Sequence, residues 1–408
     1  MKRFLSLFAV CFLIINLFGF DSQAQQNESA DWETIGVYPI NAYDEEWADM
    51  TFAERLQALA LPEELVDSLS TEDLAEWALA YPYLGARVLH DSAKGYMDFL
   101  LRNSYLFRSL FAREDANEVL LNKFDDLQVN YNMLINQNTA GSDTFTESGY
   151  VKELFLQSYF ATVIDELSVT EKAALRDILE EKYIAKSGIC QNFTTATLFY
   201  ADVLSEYGEI PAELLISTDI VIDEAAIGND ISDPTSIDSD GFTNSGQIAT
   251  YNGGNYYVGT YSKYGVSVNC YKFCSGELSS AEATDYENLI STLYPSWEKV
   301  TSATRKFNCH SYAWIEQSTS NVYWLINPNA FATSSSFRYI GANGGANKGD
   351  HIIIINSYGE SEHSLISTST GTNSNSINTI SKCGSAGIYR AVLADIILEY
   401  GNEYKVYR

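Results

Sequence analysis

The sequence predicts an α+β protein in which a helical front half precedes a sheet-bearing back half. Three observations predict it. Residues 51–188 repeat helix-start signals with apolar residues at helical spacing, residues 219–246 are rich in Asp, Ser, Thr, Asn and Gly, and glycine-punctuated strand patterns begin near residue 247.

The chain opens with Met1, Lys2 and Arg3, continues with a largely apolar run from Phe4 to Phe20, and then shows Ser22, Gln23 and Ala24. That basic, apolar and small-residue order is a secretory leader covering residues 1–24, and it implies a secreted or periplasmic protein. The run is shorter than the roughly 20 residues a span needs, and Asn16 interrupts it, so no membrane span is expected after cleavage.

Residues 25–218 are read as an acidic, all-helical domain. Thr51 with Glu54, Ser168 with Glu171 and Ser279 with Glu282 place a hydroxyl three residues before a glutamate, the capping-box spacing that satisfies two orphan amides at a helix start. Ser70 precedes Leu74, Trp77, Ala78 and Tyr81 on one helical face, and Pro82 ends that helix. Leu175, Ile178, Leu179 and Tyr183 repeat the spacing, and such faces are packing surfaces. His90, the one histidine before residue 300, is expected to have no catalytic duty. Residues 219–246 form a linker or loop, and 247–408 a second, α+β domain. Within it, Gly253, Gly254 and Gly265 break a tyrosine-rich segment into hairpins, and a helix from Ser279 to about Leu293 stops at Pro295.

Charge narrows the partners. The chain has 54 acidic and 25 basic side chains, and residues 26–240 alone hold 41 acidic against 12 basic, whereas 301–408 hold 7 against 8. A surface of that sign repels nucleic acid and anionic membranes. No cofactor motif is present, and no histidine lies at metal-ligand spacing from cysteine or carboxylate in the helical half, so neither cofactor nor metal is expected. Apart from Cys11 in the leader, five cysteines remain: Cys190, Cys270, Cys274, Cys309 and Cys383. An odd count leaves at least one thiol free. On one straight strand Cys270 and Cys274 are separated by about 13 Å, too far for a bridge.

The stretch from Arg305 to Trp314 carries the chemistry. Asn308 is a good N-cap, which places Cys309 in a first helical turn where free amides and the helix dipole favour an anion. With Arg305 and Lys306 nearby, the thiol is expected to have a depressed pKa and to serve as a nucleophile. Further on, Gly349 and Asp350 lead into a strand from His351 to Ile355, and after a turn His363 opens the next strand. His310 and His351 are alternative bases, although neighbouring helical residues such as Cys309 and His310 point about 100° apart.

Cysteine on a helix start, glycine-led strand, histidine on the adjoining strand: this order resembles the papain-like cysteine peptidases of the NlpC and CHAP type, over roughly residues 300–390. The resemblance implies a helix packed on a small antiparallel sheet, Cys309 as nucleophile, His363 as base, and an orienting residue from the strand after it. Asn378 and Ser381 are the candidates for that third role, with Ser381 preferred. The Asn-Cys-His-Ser-Tyr-Ala-Trp string at 308–314, with a segment like Leu61–Leu84 before it, is also similar to a family of secreted bacterial proteins of unassigned activity. That family often has Ser-Lys before a glycine, as at Ser381, Lys382 and Gly384, and an aromatic residue where this chain has Cys383. The implied activity is hydrolysis of amide bonds in peptides or in the peptide stems of bacterial cell wall, with acyl transfer as a variant of the same chemistry. The alternative is a non-catalytic binding or surface-interaction protein containing an inert papain-like unit.

Overall fold

The computed structural model describes Trp32 and residues 34–127, 149–187, 241–251 and 254–408. The expected leader, Cys190 and most of the expected linker lie outside them.

The described front half is helical, as expected. It contains α1 (Glu45–Asp49), α2 (Phe52–Ala58), α3 (Glu63–Ser68), α4 (Thr71–Leu79), a 3₁₀ helix over Pro82–Leu89, α5 (Ala93–Asn103), α6 (Tyr105–Phe111), α7 (Ala116–Asp126), α8 (Gly149–Val163) and α9 (Val169–Ser187). The Thr51 side chain accepts from the Glu54 amide while the Glu54 carboxylate accepts from the Thr51 amide, so the capping box forms. Ser168 and Glu171 make the same reciprocal pair. Ser70 caps α4, and Pro82 opens the 3₁₀ turn that replaces it.

The back half begins with an antiparallel meander, β1 (Phe242–Tyr251), β2 (Gly254–Lys263) and β3 (Val266–Ser275). Tyr264 and Gly265, with φ of 55° and 76°, make the two-residue turn that joins β2 to β3 with the right twist. Cys270 and Cys274 both lie on β3, four residues apart along one strand, and do not bridge each other. Then come α10 (Ser280–Leu293), β4 (Glu298–Lys299), α11 (Cys309–Trp314), β5 (Tyr323–Leu325), α12 (Asn329–Ala332), β6 (Tyr339–Ala342), β7 (His351–Ile355), β8 (Ser361–Ser367), β9 (Asn378–Lys382), β10 (Ile388–Val392), α13 (Leu393–Tyr400) and β11 (Glu403–Tyr407). One sheet has the order β1-β2-β3-β5, and a seven-stranded antiparallel sheet has the order β4-β10-β9-β8-β7-β11-β6. The main sheet is therefore larger than the small one expected.

Both faces of the large sheet are covered, which is why β7 is apolar from Ile352 to Ile355. Ile352 and Ile354 of β7 and Leu365 of β8 join the core built by the front helices, α10 and α13. Ile353, Ile355 and Ile366 face the opposite way and pack with Ala313 and Trp314 of α11 and with the meander. Residues from both sides of the expected domain boundary thus share one core. Trp47 Nε1 donates to Thr292 O at 2.9 Å, Tyr83 OH to Leu293 O at 3.3 Å, and Arg102 caps the end of α13 by donating to Glu399 O and Gly401 O, each at 2.9 Å. Among the described residues no helix is long and apolar enough to cross a membrane.

Candidate functional site

Cys309 is the first residue of α11, and Asn308 is its N-cap: the Asn308 side chain accepts from the Ser311 amide at 3.0 Å. That part of the expectation is met. The same amide donates from Nδ2 to Leu325 O and to Asp91 Oδ2, both at 2.9 Å. Cys309 Sγ donates to that same Asp91 oxygen at 3.6 Å. Asp91 belongs to the helical half, on the turn between the 3₁₀ helix and α5. Ser385 N donates to Val88 O at 3.0 Å, and Tyr400 OH donates to Leu89 O at 3.0 Å, so two hydrogen bonds fix the backbone just before Asp91. Gly384, at φ 44°, lets this approach happen: a Cβ there would lie 2.4 Å from Val88 O.

The thiol does not have the depressed pKa the sequence suggested. Burial, followed by the charge of Asp91, pushes it well above its ordinary value, against the pull of a hydrogen bond from the Ser364 backbone. The two expected cations are engaged elsewhere: Arg305 Nη2 lies 3.6 Å from Glu282 Oε1, and Lys306 Nζ 3.7 Å from Glu277 Oε2. A first helical turn therefore does not suffice when Cys309 is 1% exposed and its sulfur faces a carboxylate. Asp91 itself is raised by burial to about 6, against the pull of the Asn308 hydrogen bond and the Lys382 charge. Lys382, fully buried, is lowered by burial to about 8, with Asp91 pulling it back up. Its ammonium donates to Gly384 O and lies 5.4 Å from the centre of the Phe307 ring.

The three residues expected to form a triad are not brought together. Ser364 Oγ lies 2.7 Å from His310 Nδ1 and accepts from Trp314 Nε1 at 3.0 Å, so Ser364 points toward α11. Adjacent strand residues face opposite sides, and His363 accordingly points away, its ring stacked on Tyr400 of α13 at 3.9 Å between centroids. Its Nε2 is buried without a partner, and burial holds its pKa well below the ordinary value. Ser381 lies on that same far side, its hydroxyl 3.7 Å from Cys383 Sγ, while Lys382 beside it faces the cysteine. Asn378 is exposed at the other end of β9. His351 packs on Trp314 at 4.6 Å between ring centroids, at the far end of the helix from Cys309. Cys383 is a free, buried thiol that burial raises to about 11.

His310 comes closer than its sequence position suggested. One of its ring nitrogens, Cys309 Sγ and an Asp91 carboxylate oxygen lie within 4.8 Å of one another. Burial lowers His310 to about 4, so its ring is neutral at physiological pH. His90 is buried, with Nε2 2.9 Å from Glu399 Oε1, and that carboxylate also accepts from Tyr294 OH at 2.6 Å. Sequence reasoning missed Asp91 altogether, since nothing in Leu89-His90-Asp91-Ser92 marks it.

No protein family, curated protein or solved structure matches this chain.

Proposed function

We propose that this chain is a secreted thiol hydrolase that cleaves amide bonds in peptides or in cell-wall peptide stems, with Cys309 as nucleophile and Asp91, rather than His363, as its proton acceptor. The observation that carries the reading is the 3.6 Å contact between Cys309 Sγ and Asp91 Oδ2 at the start of a capped helix. A carboxylate raised to about 6 is matched to general-base work near neutral pH.

The resting proton sits on sulfur. During attack the sulfur forms a bond to the substrate carbonyl carbon while its proton passes to Asp91 Oδ2. The Cys309 backbone amide stabilises the oxyanion. Collapse breaks the C–N bond, and Asp91 returns the proton to the departing amine. Water then gives a proton to Asp91 and attacks the thioester carbon, and the thiol leaves and recovers that proton. Because Cys309 is sealed from solvent, an opening of its cover precedes substrate entry.

The papain-like order of cysteine helix and antiparallel strands supports a peptide substrate. The deep burial of the thiol favours the rival reading of an inert binding protein, and one assay separates the two. The mature chain incubated with peptides or cell-wall fragments releases new primary amines, and Cys309→Ala abolishes the release. Activity that survives Cys309→Ala, or no release by the wild-type chain, contradicts the hydrolase.

A further inference from the structure

We infer that Asp91, Cys309 and His310 form a binding site for a thiophilic divalent cation of the zinc type, and that its occupancy silences the nucleophile; the silencing rests on the hydrolase reading above, whereas the metal site does not. The donors are one carboxylate oxygen, one sulfur and one imidazole nitrogen, all within 4.8 Å of one another. That set suits zinc, which takes sulfur at about 2.3 Å and nitrogen or oxygen at about 2.0–2.2 Å in tetrahedral geometry. Two ligands at those bond lengths are about 3.6 Å apart along a tetrahedral edge, and Sγ and Oδ2 already stand at 3.6 Å.

Two donors also have the supporting partners that orient metal ligands. Asn308 Nδ2 holds Asp91 Oδ2, and Ser364 Oγ holds the His310 ring at Nδ1. Asp91 Oδ1 is buried with no hydrogen-bond partner, so the carboxylate has acceptor capacity left unused. The His310 ring is hydrogen-bonded to Ser364 Oγ and to the Ser361 backbone, and binding requires that the ligating nitrogen carry no proton and give up any such bond it makes. Binding exchanges the sulfur's proton for the metal: the S–H bond breaks, an S–metal bond forms and the proton goes to solvent. Lys382 is the opposing charge nearby. The opening that admits substrate also admits the ion; the three protein ligands leave one of four positions for a water that enters with it, and the sulfur lone pair that attacks a carbonyl is committed to the cation.

Cobalt(II) titration of the full mature chain tests the site without any substrate. We expect a thiolate-to-cobalt charge-transfer band and the visible bands of tetrahedral cobalt, displaced by zinc. Cys309→Ala removes the charge-transfer band, Asp91→Asn and His310→Gln each weaken binding at least tenfold, and Ser364→Ala weakens it about 10- to 100-fold through the His310 ring. Thermal melts of each variant separate loss of ligand from loss of fold, and Ser364→Ala leaves all three ligands in place. No charge-transfer band in the folded wild-type chain, a band that survives Cys309→Ala, or affinity unchanged by both Asp91→Asn and His310→Gln overturns the site. Zinc that binds Cys309 yet leaves amine release unchanged overturns the silencing alone. Absence of any hydrolysis, with cobalt bound as described, removes the hydrolase reading and leaves the metal site standing.

Discussion

Asp91 and Cys309 are 218 positions apart in sequence, yet one carboxylate oxygen receives both the cysteine thiol and the amide that caps the cysteine's helix. Asp91→Asn keeps the shape and removes the proposed base, so kcat/KM is expected to fall about 100- to 10,000-fold, measured by amine release at saturating and limiting substrate. The resting thiol is protonated and covered. Peptide mapping after iodoacetamide treatment of the native chain at pH 8 is expected to find exposed Cys274 labelled well before Cys309, even though burial raises the Cys274 thiol as well. Equal rates would mean that the cover is open at rest. The Cys309 helix was legible because its signals are local, an N-cap followed by a short apolar turn. Asp91 was not legible, because its role depends on a tertiary approach that leaves no trace in neighbouring residues.

The same contrast appears among the elements. Capping boxes, the turn at Tyr264–Gly265 and the strand breaks were readable from residue type, since each depends on backbone chemistry within a few residues. The face on which His363 sits was not readable. A strand buried on both sides carries no polar alternation, and a one-residue change of parity sends every side chain to the other face. The buried run His363, Ser364, Leu365, Ile366 and Ser367 is such a strand. Order along the chain suggested His363, whereas Ser364 makes the contacts to α11. The loop after β9 holds the Asp91 segment through Gly384, so Gly384→Ala is expected to cost about 1–3 kcal/mol from its left-handed backbone alone. The close contact with Val88 O adds to that cost and displaces Asp91. Urea denaturation reads the first effect, and loss of amine release beyond the loss of folded protein reads the second.

At the scale of the whole molecule, the helical half and the large sheet share one continuous core. The boundary suggested by composition marks a change in residue chemistry, not a break in packing, and a single cooperative thermal transition is expected. Buried histidines set the acid limit. His310 and His351 are lowered to about 4 and His363 well below its ordinary value, each chiefly by burial. Their unfolded counterparts titrate near about 6.5. Between these values the unfolded chain binds protons that the folded chain does not, so their contribution to stability is complete above pH 6.5 and is lost as pH falls toward 4. Asp91, raised to about 6, gives an opposite slope below that pH, and His90, whose burial is outweighed by its hydrogen bonds to Glu362 and Glu399 so that its pKa is raised, gives one near and above pH 6.5; the three lowered histidines span more of the interval. The urea midpoint is therefore expected to drop between pH 7 and pH 5, and His363→Phe, which keeps a ring against Tyr400, is expected to flatten the drop. The most direct test of the account compares amine release by Asp91→Asn and His363→Phe under identical conditions, both variants folded. The account predicts that Asp91→Asn loses activity while His363→Phe retains it near the wild-type level; loss in His363→Phe with activity kept in Asp91→Asn would contradict it.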